Sequence, residues 1–250
     1  MIVLKTVEEL KKMRAAGRIS QRALRLAGAA VEPGVTTLEL DSIVRKYIEE
    51  QGATPSFLGY GGFPASACIS VNHVVIHGIP SKSCVLKQGD IVSIDVGAVF
   101  DGYHGDNAWT FPCGDISKEA QRLLDTTRDA LFEGIKAAKA GSHIGDIGHA
   151  VQQYAELRSY SVVRDFTGHG VGAKLHEAPN VPNYGTPGRG PRLMPGMAIA
   201  IEPMINVGTH KVRVLRDKWT TVTADGKLSA HFEHTLAITP DGPVVLTNAD

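Results

Sequence analysis

Five polar residues stand in this 250-residue chain where apolar neighbours surround them or glycines flank them. Asp95 lies between Ile94 and Val96, and Asp106 follows Gly105 in a second short run. His169 sits between two glycines in TGHGVG, Glu202 interrupts IAIEPMI, and Glu233 interrupts SAHFEHTLAI. Carboxylates in such surroundings repel one another and lose hydration, a cost that a cation between them removes. Four carboxylates and one imidazole suit two divalent ions, and an oxygen-rich set with one nitrogen favours Mn, Fe, Co or Zn. Paired ions roughly 3.5–4 Å apart can hold a water between them, lower its pKa and polarise a substrate oxygen. Each residue alone has a plainer reading. Asp106 could start a loop, His169 could be a hydrogen-bonded loop residue, and Glu202 and Glu233 could pair with Arg213 or Arg216. The five together outweigh those readings.

The elements that must position these residues start with Asp90–Asp106, DIVSIDVGAVFDGYHGD. Two short apolar runs around Asp101-Gly102 predict a β-hairpin, because a type I′ turn needs positive φ at both central residues. With the turn there, Asp95 lies opposite Ala108 and Asp106 opposite Gly97. Side chains alternate at period two, so both aspartates emerge on one face, a diagonal step apart.

Capping boxes at Thr6/Glu9 and Thr36/Glu39 open two helices, the first stopped by Pro33-Gly34 and the second by Gly52. A loop rich in glycine and aromatics, Ser56–Pro64, leads to short strands around Ala67–Val71 and Val74–Ile76. After the hairpin, Ser117 caps a third helix that ends at Gly141, and a fourth runs through Ile147, Val151 and Tyr154. Short strands and one Gly/Pro-rich loop, Asn180–Pro195, complete the chain.

Two helices followed by strands occur twice, and the sequence itself repeats at an offset of 107. Gly34 matches Gly141, Leu40 matches Ile147, and Val44 matches Val151. Further on, Leu86-x-x-Gly89-x-x-x-x-Ile94-Asp95 matches Leu193-x-x-Gly196-x-x-x-x-Ile201-Glu202. The halves divide near residues 1–114 and 115–250 of one domain, with Asp95 and Glu202 as counterparts. His77-x-x-Pro80 and His176-x-x-Pro179 form a second pair at a shorter offset.

Composition narrows the function class. Lysine plus arginine equals aspartate plus glutamate at 26 each, so nothing argues for a polyanion or an acidic membrane surface as partner. No apolar run approaches the ~18 residues of a spanning helix, and MIVLKTVEEL lacks the basic-then-apolar pattern of a signal peptide. Cys68, Cys84 and Cys113 show no CxxC spacing and read as reduced thiols in a cytoplasmic protein.

NHVVIHGIP (72–80), GDIVSIDVGAVFDGYHGD (89–106), TGHGVG (167–172), LHEAP (175–179), GMAIAIEPMI (196–205) and SAHFEHT (229–235) resemble, in joint order and spacing, the type I methionine aminopeptidases of bacteria. The resemblance spans essentially the whole chain. It implies an α+β pita-bread fold, with a curved antiparallel sheet, outer helices and a pseudo-two-fold axis. It implies Asp95, Asp106, His169, Glu202 and Glu233 as metal ligands, with Asp106 and Glu233 bridging two divalent ions whose bound water attacks the substrate. His176 would donate to the oxyanion, His77 would contact the scissile amide or the next residue, and Glu202 would shuttle a proton to the leaving amine. Phe57, Tyr60, Phe63, Cys68, His77, Leu175 and Trp219 would wall the methionine pocket.

Two positions depart from some bacterial relatives, which carry Cys in place of Phe57 and Phe in place of Leu175. Asn72, Val74 and Ser229 match a monovalent-cation site. The implied activity is removal of the initiator methionine when the second residue is small. The implied partners are nascent-protein N-termini and, transiently, the ribosome, met by a monomer that lacks the N-terminal extension of some relatives. The rival enzyme of this fold, an Xaa-Pro peptidase, usually has a separate N-terminal domain, for which 250 residues leave no room. The loss of even one ligand carboxylate would favour a metal-free peptide-binding protein of the same fold, and all five positions are acidic or His.

Overall fold

The computed structural model describes residues 1–248. Helices α1 (Val7–Ala29) and α2 (Thr37–Glu50) precede strands β1 (Thr54–Pro55), β2 (Ala67–Val71), β3 (Val74–Ile76), β4 (Ile91–Phe100) and β5 (Tyr103–Pro112). Helices α3 (Lys118–Ala137) and α4 (Ile144–Glu156) precede β6 (Ser161–Val162), β7 (Gly168–Gly170), β8 (Glu177–Val181), β9 (Ala198–Ile201) and β10 (Met204–Asn206). Then come β11 (Val212–Val214), β12 (Thr221–Thr223), β13 (Ser229–His231), β14 (His234–Thr239) and β15 (Gly242–Val245).

Both expected capping boxes close, each threonine hydroxyl accepting from the N3 amide while the N3 glutamate accepts from the threonine N–H. Ser117 caps α3. Two helices end earlier than their glycine signals: α1 stops at Ala29, short of Pro33-Gly34, and α3 stops at Ala137, short of Gly141. In both cases the glycine serves the turn into the next helix, with φ of 98° at Gly34 and 91° at Gly141. Asn180 and Val181, read as the start of a loop, are the end of β8.

The hairpin has the register that the Asp-Gly turn dictates. Asp95 faces Ala108, Gly97 faces Asp106, and φ is 50° at Asp101 and 77° at Gly102. Strand β4 also pairs with β1 and β2, and the longest ladder of the second half runs β15-β14-β9-β7-β8, antiparallel throughout. Helices α3 and α4 bury Leu131, Ile147 and Val151 against Ile199 and Ile201 of β9. Truncating a fully buried leucine such as Leu131 to alanine costs about 2–5 kcal/mol. Leu40, Val44 and Ile48 of α2 pack with Val92, Ile94 and Val96 of β4.

Residues 107 apart make the same hydrogen bonds. The Gly34 amide donates to Leu86 at 2.9 Å, and that of Gly141 to Leu193 at 2.8 Å. Leu86 N–H returns to Val35, and Leu193 N–H to Ser142. Isolated bridges join Thr36 to Val85 and His143 to Arg192. Strands β5, β13 and β14 stitch the two halves together. The Thr235 hydroxyl accepts from the Asp106 amide at 3.1 Å and donates to its carbonyl at 2.7 Å, while Glu233 N–H donates to the Ala108 carbonyl at 2.8 Å.

Candidate active site

Four strands and one short connection bring the acidic residues to one place. Asp95 leaves the middle of β4, Asp106 leaves β5, Glu202 follows β9 directly, and Glu233 precedes β14 directly. His169 is the central residue of β7, and its two glycines are there for close approach. A Cβ at Gly168 would run into the Ala200 carbonyl, and one at Gly170 into that of Ala178. Only glycine lets β7 lie this tightly between β8 and β9, which carries His169 over the carboxylates.

Asp106, Glu233 and His169 are buried, at 3%, 2% and 7% exposure. Burial raises the pKa of Asp95, Glu202 and Glu233 well above the carboxylate range, with neighbouring carboxylates adding to the effect, and pushes Asp106 up to about 7. The four acids as they stand cannot all ionise without a compensating cation. One oxygen each of Asp95, Asp106 and Glu233 is buried with no hydrogen-bond partner. His169 Nδ1 lies 2.9 Å from the Gly170 carbonyl, so the proton resides there and Nε2 presents a lone pair. That nitrogen lies 3.6 Å from Glu202 Oε1 and 3.8 Å from Asp106 Oδ2. Ligand atoms of Asp106, His169 and Glu233 lie within 4.8 Å of one another. Orphaned carboxylate oxygens around a bare imidazole nitrogen, fixed by its carbonyl partner, fit a divalent metal ion. Glu202 faces His169 and His231, not Arg213 or Arg216.

The acids form one end of a cavity of about 140 Å³. Its lining comprises these five residues together with Phe57, Tyr60, Phe63, Cys68, His77, Leu175, His176 and Trp219, which are the ligand, catalytic and pocket residues singled out in the sequence.

The sequence matches the model of metallopeptidase family M24 over residues 11–240. It is 55% identical over 247 residues to a methionine aminopeptidase of Clostridium perfringens, covering 99% of each chain. Methionine aminopeptidase 1 of Bacillus subtilis is 53% identical with the same coverage. The chain belongs to metallopeptidase family M24, among the methionine aminopeptidases. The crystal structure of the Thermotoga maritima methionine aminopeptidase superposes with a TM-score of 0.98 at 45% identity, covering 99% of this chain and 100% of that one. A Pyrococcus furiosus prolidase superposes at 0.80 with 24% identity and is covered over only 66% of its length, a likeness of fold alone. The fold is the pita-bread fold, as the resemblance implied.

In this methionine aminopeptidase fold the apolar end of the cavity is made by loops. Phe57 and Phe63 flank a 3-10 turn, Tyr60–Gly62, and Phe63 meets the edge of Trp219 at 5.2 Å. Leu175 is buried at 2% exposure beneath them, and Cys68, in register with Asp95, marks where apolar wall meets acid. Burial raises the Cys68 thiol pKa further from the neutral range. His77 has φ of 58°, a left-handed conformation rare outside glycine, and its ring packs edge-on against Phe166 and Trp219. Burial first, then His176, lowers its pKa to about 4, so the imidazole is neutral at pH 7. His176 stands at the mouth with Nδ1 2.8 Å from the Tyr60 hydroxyl and its ring 4.1 Å from that of His169. Partial burial lowers its pKa too.

One residue near the acids escaped the sequence reading: His231, at 2% exposure, has an unpartnered Nε2 3.6 Å from Glu202 Oε2. The signal was there, since His231 precedes Glu233 by the two-residue step that keeps side chains on one face of an extended chain. Asn72 and Ser229 also meet away from the cavity, where the Ser229 amide donates to the Asn72 carbonyl at 2.9 Å. The Asn72 side-chain oxygen is occupied by the Ile91 N–H. All three cysteines are free thiols. Among the described residues, no helix is long and apolar enough to cross a membrane.

Proposed function

We propose that the chain removes the initiator methionine from nascent proteins whose second residue is small, working as one catalytic unit over 1–250. The observation that carries this reading is a single cavity with carboxylates and a bare imidazole nitrogen at one end and an aromatic, uncharged wall at the other. Asp95, Asp106, His169, Glu202 and Glu233 would hold two divalent ions. Such ions, when bound, supply an acidified water and Lewis-acid polarisation of the scissile carbonyl.

The chain's own groups do the rest. His176 Nδ1 lies 2.8 Å from the Tyr60 hydroxyl, and with that O–H as donor the His176 proton would sit on Nε2, free to donate to the carbonyl oxygen as charge develops there. Neutral His77 meets the scissile amide and the rim of the second residue without adding a charge. Glu202 carries a proton to the leaving amine. Phe57, Tyr60, Phe63, Leu175 and Trp219 hold the unbranched thioether and keep water from it, with Cys68 at their inner edge. The partners are peptide N-termini, met in the cytoplasm with transient ribosome contact, and the chain acts as a monomer. A monovalent cation at Asn72, Val74 and Ser229 would brace the turn between β2 and β3, where Asn72 has φ of 56°.

A peptide series Met-Xaa-Ser tests the reading. A second residue pressed against the His77 rim has no room for β-branching, and overpacking a formed site costs about 1–3 kcal/mol. Met-Ala-Ser is expected to release methionine with a kcat/KM roughly five- to a hundredfold above Met-Ile-Ser. Equal values for the two peptides, or release of alanine from Ala-Ala-Ser at the same rate, would contradict it.

A further inference from the structure

Glu202 has a histidine on each side, and the two differ in what they can offer. His169 Nδ1 is committed to the Gly170 carbonyl at 2.9 Å, so Nε2, 3.6 Å from Glu202 Oε1, is an acceptor facing an acceptor. That is how two ligands stand around a cation. On the other side His231 Nε2 lies 3.6 Å from Glu202 Oε2, buried and without a partner. Its backbone is fixed in place: His231 N–H donates to the Thr110 hydroxyl at 3.0 Å, and that hydroxyl donates back to the His231 carbonyl at 2.8 Å.

We propose that His231 is a positioning residue for Glu202, its Nε2–H donating to Oε2 so that Oε1 is turned toward His169. The pair closes to hydrogen-bond length with a shift of under about an ångström. A carboxylate has two equivalent oxygens and a free χ3 rotation, and a donor on one of them fixes which oxygen faces the metal. The acidic end of the cavity thus has a support behind its ligands. This inference rests on the metal reading above.

The experiment titrates Co(II) into metal-stripped wild type, His231→Ala and His231→Gln, with the visible d–d spectrum, metal-free Tm, and kcat and KM for Met-Ala-Ser as readouts. Loss of an outer partner of a metal ligand typically costs 10- to 100-fold in metal affinity or activity. His231→Ala is expected to weaken one of the two Co(II) equivalents by that factor, alter the spectrum and lower kcat 10- to 100-fold, with KM within about twofold. His231→Gln, whose amide N–H can reach Oε2, is expected to restore affinity, spectrum and kcat to within a few fold. Native Co(II) affinity and spectrum in His231→Ala would overturn the proposal, as would a His231→Gln variant as impaired as His231→Ala at equal Tm. Wild type that takes up no Co(II) would instead overturn the metal reading, and His231's role with it.

Discussion

At the acidic end of the cavity every functional side chain leaves a strand or the residue beside one. At the apolar end Phe57, Tyr60 and Phe63 stand in the connection between β1 and β2, and Trp219 stands in the turn between β11 and β12. Asp106 and Glu233 are buried and tied through their backbone, Asp106 to Thr235 and Glu233 to Ala108. Tyr60 is 45% exposed and linked to the site by one hydrogen bond to His176. Converging carboxylates need fixed positions, because mutual repulsion would otherwise drive them apart. A wall that accepts a flexible side chain needs shape and apolar area, which loops supply. The two ends therefore differ in how a substitution is felt.

The largest effect is expected at the strand-built end. Asp106→Asn removes one charge from a buried, mutually repelling set and leaves the Thr235 clamp, which is backbone-mediated, intact. Activity on Met-Ala-Ser is expected to fall at least about a thousandfold, roughly 4 kcal/mol. The metal-free Tm is expected to hold or rise, since less charge is confined. Calorimetry of the stripped protein checks this, and a clear drop in Tm would mean that Asp106 serves packing rather than chemistry.

At the mouth the effect is smaller and falls on a different constant. His176→Ala is expected to lower kcat by about a hundredfold, close to 3 kcal/mol, with little change in KM, because its hydrogen bond strengthens only as charge develops. A change confined to KM would make His176 a binder of the ground state and erase the contrast between the two ends.

The smallest effect tests what braces the rigid end. Glu9 accepts from the Thr6 amide at 2.7 Å and from the Tyr103 hydroxyl at 2.7 Å, tying the start of α1 to the hairpin. Those bonds, the Thr6 amide first, pull its pKa from 4.5 down to about 2. A depressed carboxylate stabilises the fold above its unfolded pKa and loses that contribution as pH falls through its folded one. The contribution is therefore full above about pH 5 and lost between there and pH 2. In Glu9→Gln, Tm plotted against pH is expected to be flatter over that window and nearly unchanged in shape at neutral pH. An acid limb identical to wild type would assign the anchoring elsewhere.

Local patterns carried most of this architecture. The Asp-Gly turn was enough to place all ten pairs of β4 and β5, because a two-residue turn admits one register. The acids were visible because an ionisable residue inside an apolar run is costly to bury unless a cation or a hydrogen-bonding partner meets it there. Far pairings were not visible. Ile76 bonding across to Thr221, or Thr235 clasping Asp106, joins segments more than a hundred residues apart whose own sequences carry no mark of the partner. Helix ends slipped for a related reason: Gly34 and Gly141 are needed by the turns that follow, and the helices finish before reaching them. His231 is hidden in the same way, since a polar residue in a three-residue strand, SAH, matches ordinary alternation and only the fold sets it beside Glu202.

Asp95, Asp106, His169, Glu202 and Glu233 are proposed to hold two divalent ions together. Anomalous diffraction from crystals of the protein soaked in Mn(II), collected on both sides of the manganese edge, tests it most directly. Two peaks are expected, both among these five side chains. A single peak, or peaks that none of these five side chains contacts, would contradict a two-ion site there.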